Sequence, residues 1–191
     1  MNKTAEANPI IADRPSDYEN DIVLTAQSDL SKFEPLFAYW FQPVYRYALS
    51  RVGNVSDAED ITSQTFLAVY EKLPKYRHQD QFSAWLFTIA RNKVRDYFRK
   101  KDRTSDNVEI DDLLMFQDDW SSAKNADEKL ELARIIKAMP ENKQDLLRLR
   151  YIAGLSFADM GKLLGKREDT VRKSHSRVMR WLQSQMEVYD E

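Results

Sequence analysis

The sequence predicts an all-α protein: two small helical domains joined by an acidic, flexible linker, the C-terminal one containing a helix-turn-helix. Three observations carry that prediction. Apolar residues recur at intervals of three and four over most of the 191 residues, the period of helices with one covered face. Four glycines and six prolines are too few for the turns of an all-β chain. Between residues 104 and 126 the period lapses, and Asp106, Glu109, Asp111, Asp112, Asp118 and Asp119 stand among few basic residues. That stretch reads as a solubilising spacer or as an acidic segment with a task of its own.

Residues 1–28 alternate small polar, acidic and proline residues, which predicts a flexible N-terminal tail. Its apolar patch, Ile22-Val23-Leu24, is able to dock on a partner surface. From Asp29, the run Phe33, Leu36, Phe37, Trp40, Phe41, Val44, Tyr45 and Leu49 predicts a helix. Pro35 suits its first turn, whereas Pro43 is expected to end or kink it. Gly53-Asn54 breaks the pattern. Asp57-Ala58-Glu59-Asp60 then opens a second helix, with acid where the macrodipole favours it. Ile61, Phe66, Leu67, Val69, Tyr70 and Leu73 carry its apolar side to Pro74. The polar loop Lys75–Gln81, KYRHQDQ, leads into a third helix that completes a first domain over 29–103.

That third helix, FSAWLFTIARNKVRDYFRKKDR, has two unlike sides. Phe82, Trp85, Leu86, Ile89, Ala90 and Tyr97 share a core face, while Arg91, Arg95 and Arg99 recur opposite them with Asn92 alongside. Phe87 and Phe98 fall at the edge of the basic row, pointing away from the core stripe. Cations that follow phosphates beside rings that stack on bases make a single-strand nucleic-acid surface. The same pattern also describes a solvated basic face with two half-buried rings.

Periodicity returns for a second domain over 127–191. Leu130, Leu132, Ile135, Ile136 and Met139 lead to a stop at Pro140, and Leu146, Leu147, Leu149 and Ile152 form a second helix ending near Gly154. Ser156 and Asp159 make a capping box for a short helix with Phe157, Met160, Leu163 and Leu164 on its core face. Gly161 inside that helix costs about 1 kcal/mol relative to alanine, a cost that makes sense where another helix crosses closely. Gly165 ends the helix. The next helix buries Val171, Val178 and Leu182 and presents Lys173, Ser176, Arg177 and Arg180 on the far side, flanked by Thr170 and Arg172. Two helices, a tight turn and donors on the outer face fit a helix-turn-helix. An ordinary bundle with a charged surface is the alternative.

Composition narrows the function classes. Hydrophobic content of 42% beside 31% charged residues suits folded helical units and excludes disorder throughout. With no cysteine, disulfides and thiolate metal sites are excluded. His78 and His175 are the two histidines, and neither follows a glutamate by three residues, which argues against a carboxylate metalloenzyme built in a helical bundle. The expectation is therefore a non-enzyme without metal or cofactor. No signal-peptide run opens the chain and no stretch approaches a membrane span, so a cytoplasmic location is expected.

With both domains in place, the chain resembles the extracytoplasmic-function (ECF) group of bacterial RNA polymerase sigma factors of the sigma-70 family. DAEDITSQTF resembles the group's Asp-Ala-Glu-Asp segment with its Thr-Phe ending. FSAWLFTIARN resembles its Phe-x-x-Trp-Leu-x-x-Ile-Ala-x-Asn, and MPENKQDLLRLRYIAGLSFADMGKLLG its Leu-Pro, Arg-Tyr and Gly-Leu-Ser run. The chain departs from the pattern where Ser63-Gln64 replace a common Gln-Glu, where Lys166-Arg167 stand at a common serine cap, and where Asp169 stands at a frequent glycine.

The resemblance implies a sigma factor that directs core RNA polymerase to promoters and assists melting. The first domain would be region 2. Asp57, Glu59, Asp60, Gln64 and Phe66 would bind the clamp coiled coil of the large catalytic subunit, although Phe66 is equally a core residue. Tyr76, Arg77, Phe87, Arg91, Asn92, Arg95, Phe98 and Arg99 would hold the minus-ten single strand, with Tyr76 and Asn92 forming a pocket for a flipped base. The second domain would be region 4, reading the minus-thirty-five duplex through Thr170, Arg172, Lys173, Ser174, Ser176, Arg177 and Arg180. The acidic linker would enter the active-site cleft and RNA exit path. Implied partners are core RNA polymerase, including its flap region, promoter DNA and an anti-sigma factor, without membrane insertion. A helix-turn-helix regulator that is not a polymerase subunit is the competing reading, and it has no need of a single-strand surface.

Overall fold

The computed structural model describes residues 16–77, 81–104 and 126–189, and every element among them is helical. Residues 1–15, the loop residues 78–80 with His78, and the acidic stretch 105–125 lie outside the described residues. The described residues fall into two compact units, 16–104 and 126–189.

The first unit contains α1 (Ser16–Ser28), α2 (Glu34–Val52), α3 (Val55–Lys72) and α4 (Phe82–Thr104), with short 3-10 turns at Leu30–Lys32 and Leu73–Lys75. Helices α2, α3 and α4 pack on one another, and α1 lies against α2 and the Leu73–Lys75 turn. Pro35 sits in the first turn of α2, and Gly53 closes that helix in the left-handed region (φ 66°). Asn54 caps α3, its side-chain oxygen accepting the Asp57 N–H at 3.0 Å, an arrangement worth about 1 kcal/mol.

Two sequence expectations are corrected here. Residues 16–28 are not a flexible tail. They form α1, with Ile22, Val23 and Ala26 buried. Burying an aliphatic side chain such as Ile22 or Val23 contributes about 1.5–3 kcal/mol, which anchors a helix whose polar remainder carries little periodic signal. Pro43 does not end α2, which runs through it to Val52 with Pro43 itself buried. Proline costs one helical hydrogen bond, and the burial of Trp40, Val44, Tyr47 and Ala48 around it offsets that loss.

The second unit contains α5 (Ala126–Lys137), α6 (Glu141–Leu147), α7 (Phe157–Leu164) and α8 (Glu168–Tyr189). Helix α8 is its hub, packing on α5, α6 and α7. The core holds Ile136, Met139, Leu147, Leu149, Ile152, Leu155, Met160, Val171, Val178 and Leu182. Helix α6 passes into a π-helical turn, Arg148–Ile152, that the apolar spacing does not announce. Beneath it the buried Gln144 donates to the carbonyls of Met139 (2.8 Å) and Lys137 (3.2 Å), and Arg148 donates to Gln144 Oε1 (2.8 Å). That network satisfies carbonyls which the end of α5 leaves without helical partners, where the chain stops at Pro140.

Helices α7 and α8 and the turn between them follow the sequence reading. Ser156 Oγ accepts the Asp159 N–H at 3.0 Å and donates to Asp159 Oδ2 at 2.6 Å. Gly165 takes φ 63° after the last turn of α7. A Cβ on Gly161 would stand 2.8 Å from the Lys166 carbonyl oxygen and 3.3 Å from the Glu168 nitrogen. The missing side chain is what lets the start of α8 lie against α7.

Candidate nucleic-acid interface

Helix α4 carries the first candidate surface. Asn92, Arg95 and Arg99 are exposed and Arg91 is half-buried. Asn92 Oδ1 accepts from Arg95 Nη2 at 2.8 Å, and Arg99 pairs with Asp96 at 3.2 Å. Exposed pairs of this kind contribute little to stability and open readily to an incoming phosphate. Phe98 is half-buried, with the Tyr97 ring at 5.2 Å and the Arg51 guanidinium 6.0 Å above it.

Phe87 is not part of that surface. It is fully buried, edge-on to Trp40 (6.0 Å) and Tyr47 (5.5 Å) of α2, with Val94 buried two turns further on. The wheel assigned α4 one covered side, but α2 and α3 both pack on this helix, so its apolar face extends around to Phe87.

Tyr76 is likewise enclosed. The residue is 6% exposed, its ring against those of Trp85 (4.7 Å) and Phe82 (5.8 Å). It lines a cavity of about 240 Å³ together with Asn20, Val23, Leu24 and Gln27 of α1, Arg77 and Phe82. Asn92 is not among those lining residues. Arg77 is exposed beside the cavity. Trp85, assigned to the core from its spacing, is only half-buried next to Tyr76; its place in the first turn after the loop was the available signal.

On α3, Glu59, Asp60 and Gln64 are exposed, as is Ser63. Leu67 (60% exposed) and Tyr70 (41%) continue the same outward face, although their spacing placed them in the core. Asp57 is half-buried and accepts the Tyr97 hydroxyl at 2.8 Å, while Lys101 donates to that hydroxyl at 3.1 Å. It ties the start of α3 to α4 rather than facing outward, and desolvation holds the Tyr97 hydroxyl above its ordinary pKa. Phe66 is 5% exposed with its ring 4.8 Å from Phe37, which makes it a core residue.

Helix α8 carries the second candidate surface. Thr170, Arg172, Lys173, Ser176, Arg177 and Arg180 are exposed, and Ser174 is half-buried. The serine hydroxyls turn back on the helix, Ser174 Oγ to the Thr170 carbonyl (2.8 Å) and Ser176 Oγ to that of Arg172 (3.0 Å). Arg180 Nε lies 3.4 Å from the Ser176 carbonyl. Arg172 pairs with Glu168 and lies 5.0 Å over the Phe157 ring. Among the described residues, Lys173 and Arg177 have neither a hydrogen bond nor an ion pair, so these two cations reach outward unengaged.

The inward side of α8 holds a titratable group. His175 Nε2 is 3.0 Å from the Tyr151 hydroxyl, and its ring packs 5.1 Å from Phe157. Burial, then the charge of Arg150, lowers the His175 pKa below 6.5. The unfolded chain therefore takes up this proton more readily than the folded one. The stabilisation is present above about pH 6.5 and is lost as pH falls from there through the folded value. Thermal unfolding of the chain is expected to show a lower midpoint for the second unit as pH drops below 6.5, and His175→Gln is expected to flatten that decline.

Among the described residues no cluster of His, Cys, Asp or Glu is placed to hold a metal ion, and no helix is long and apolar enough to cross a membrane. Residues 36–104 match the family model for sigma-70 region 2, and residues 129–182 match that for sigma-70 region 4. The chain is 33% identical over 177 residues to the ECF RNA polymerase sigma factor BldN of Streptomyces coelicolor, covering 90% of this chain and 67% of the relative. It is 30% identical over 135 residues to the ECF RNA polymerase sigma factor SigM of Bacillus subtilis, covering 69% of this chain and 80% of the relative. In fold it is similar to CnrH, solved with the cytosolic domain of CnrY, at a TM-score of 0.66 and 20% identity, covering 89% of this chain and 97% of that one. The sigma factor RpoE of Bartonella quintana, solved with the anti-sigma factor NepR, gives 0.62 at 23% identity, with 82% and 97% covered.

Proposed function

The chain belongs to the extracytoplasmic-function sigma factors of the sigma-70 family, and from that membership we propose how its two surfaces divide the work of transcription initiation. It directs core RNA polymerase to specific promoters and assists their melting, acting in the cytoplasm as an initiation factor and not as an enzyme. The observation that carries this division is the presence of two unlike cationic helix faces on separate units, one beside aromatic rings and one on a helix-turn-helix.

The first unit acts as region 2. Glu59, Asp60 and Gln64, with the exposed Leu67, dock on the clamp coiled coil of the large catalytic subunit. Arg77, Arg91, Asn92, Arg95, Phe98 and Arg99 take the minus-ten strand, the arginines holding phosphates by attraction that salt weakens. Tyr76 serves as a wall of this site, because its ring is already packed against Trp85 and Phe82. The acidic linker enters the active-site cleft and RNA exit path, and the second unit, as region 4, binds the flap region and the minus-thirty-five duplex. An anti-sigma factor that covers these surfaces would supply regulation.

Base reading falls to Lys173, Ser176 and Arg177, with Thr170, Arg172, Ser174 and Arg180 toward the phosphates. A specific base contact is worth about 1–3 kcal/mol, whereas a phosphate contact weakens all sequences alike. In holoenzyme binding to promoter fragments, Arg177→Ala is expected to relax preference at one upstream position. Arg172→Ala is expected to lower affinity for every sequence and to flatten the salt dependence. Equal weakening of all sequences by both variants would overturn the assignment of Arg177 to base reading.

A further inference from the structure

We propose that α1 is a working part of the minus-ten reader, with Gln27 as the positioning residue that sets the loop carrying Tyr76 and Arg77. The proposal rests on the reading of that loop given above. Helix α1 lies outside the residues matched to region 2, which begin at 36, yet it reaches the loop directly. Gln27 Nε2 donates to two carbonyls at once, Leu73 at 3.0 Å and Tyr76 at 2.5 Å.

Those two carbonyls bracket the 3-10 turn from which the loop departs. Tyr76 takes φ −63°, ψ 134°, so the backbone leaves its helical course at that residue. Its carbonyl is held by Gln27 and by Arg77 Nη1 at 3.1 Å, and the same Nη1 donates to Pro74 O at 3.1 Å. Fixing the Tyr76 carbonyl fixes the peptide plane from which Arg77 departs. Gln27 thereby sets the backbone from which Arg77 joins Tyr76 in lining the cavity against α1. The buried Val23 and Ala26 hold α1, and with it Gln27, in place.

The chemistry of the clamp is specific. A neutral primary amide offers two N–H donors on one nitrogen. Glutamate has the same shape and, ionised, offers none; it would set an anion against two carbonyl dipoles. Methionine keeps the length and offers no donor. Lysine again provides several donors from one nitrogen.

The test uses holoenzyme assembled from core polymerase and the full chain, with promoter melting read by permanganate reactivity of thymines on duplex and premelted templates. Core binding and thermal unfolding of each variant are measured in parallel. Gln27→Glu and Gln27→Met are expected to reduce duplex melting about tenfold, with core binding unchanged and much of the loss restored on a premelted bubble. Gln27→Lys is expected to stay within about threefold of the parent chain. That rescue is a result that mere filling of the space would not produce. Melting by Gln27→Glu and Gln27→Met equal to that of the parent chain would overturn the proposal alone, as would a loss by Gln27→Lys as large as theirs. A parent holoenzyme that melts no promoter would instead overturn the sigma-factor reading on which the proposal stands.

Discussion

Phe87→Ala is expected to unfold the first unit, whereas Phe98→Ala leaves it folded and weakens its hold on single-stranded DNA. Phe87 is fully buried against the rings of Trp40 and Tyr47. Truncating a buried phenylalanine costs about 3–5 kcal/mol, a large share of the ~5–15 kcal/mol that holds a domain together. Phe98 is half-buried, so its removal takes away less packing. If that ring stacks on a base, its loss costs about 1–3 kcal/mol of single-strand affinity. Thermal unfolding and binding to a minus-ten oligonucleotide in holoenzyme separate the two. A stable Phe87→Ala chain with a DNA defect would return Phe87 to the binding surface.

Gly161→Ala is expected to damage the helix-turn-helix, against the usual direction of a glycine-to-alanine change within a helix. Alanine gains about 1 kcal/mol in helix propensity. The new methyl group, however, would meet the Lys166 carbonyl oxygen at 2.8 Å, and a backbone oxygen cannot swing aside like a side chain. Overpacking of this kind costs about 1–3 kcal/mol. The displaced group adjoins the start of α8, so the reading surface moves with it. Minus-thirty-five affinity is expected to fall about tenfold, comparable to losing one specific base contact. Gly165→Ala is the control. No atom lies within 4 Å of its would-be Cβ, so its cost is the left-handed backbone alone, about 1–2 kcal/mol, with base preference kept. Equal behaviour of the two variants would refute the close crossing.

What the sequence disclosed and what it hid follow from the range of the interactions. The capping box at Ser156, the stop at Gly165 and the close approach at Gly161 are local, and each was legible from residue type and spacing. Helix α4, its exposed Arg95 and Arg99, and the outward Lys173 and Arg177 were legible for the same reason. Phe87, Leu67 and Tyr70 were misplaced because a helical wheel gives a period and not the number of neighbours. Helix α4 is covered on two sides, while α3 leaves Leu67 to solvent. Helix α1 was hidden because three buried residues, Ile22, Val23 and Ala26, suffice to dock it. Tyr76 stands in a polar segment that reads as a surface loop, and only the tertiary structure closes Trp85, Phe82 and α1 around it. The Gln27 clamp spans 46 and 49 residues, a separation no local pattern records.

On the proposed function, this chain gives core RNA polymerase its promoter choice through two separate DNA surfaces, neither sufficient by itself. Run-off transcription of genomic DNA fragments by core polymerase, with and without the chain, is the decisive experiment, with start sites mapped and binding by the chain alone measured beside them. Discrete start sites that require both core polymerase and the chain are expected, preceded by a shared pair of upstream elements, with weak binding by the isolated chain. Tight, sequence-specific binding by the isolated chain, with no start site dependent on it, would overturn that function and favour a regulator that is not a polymerase subunit.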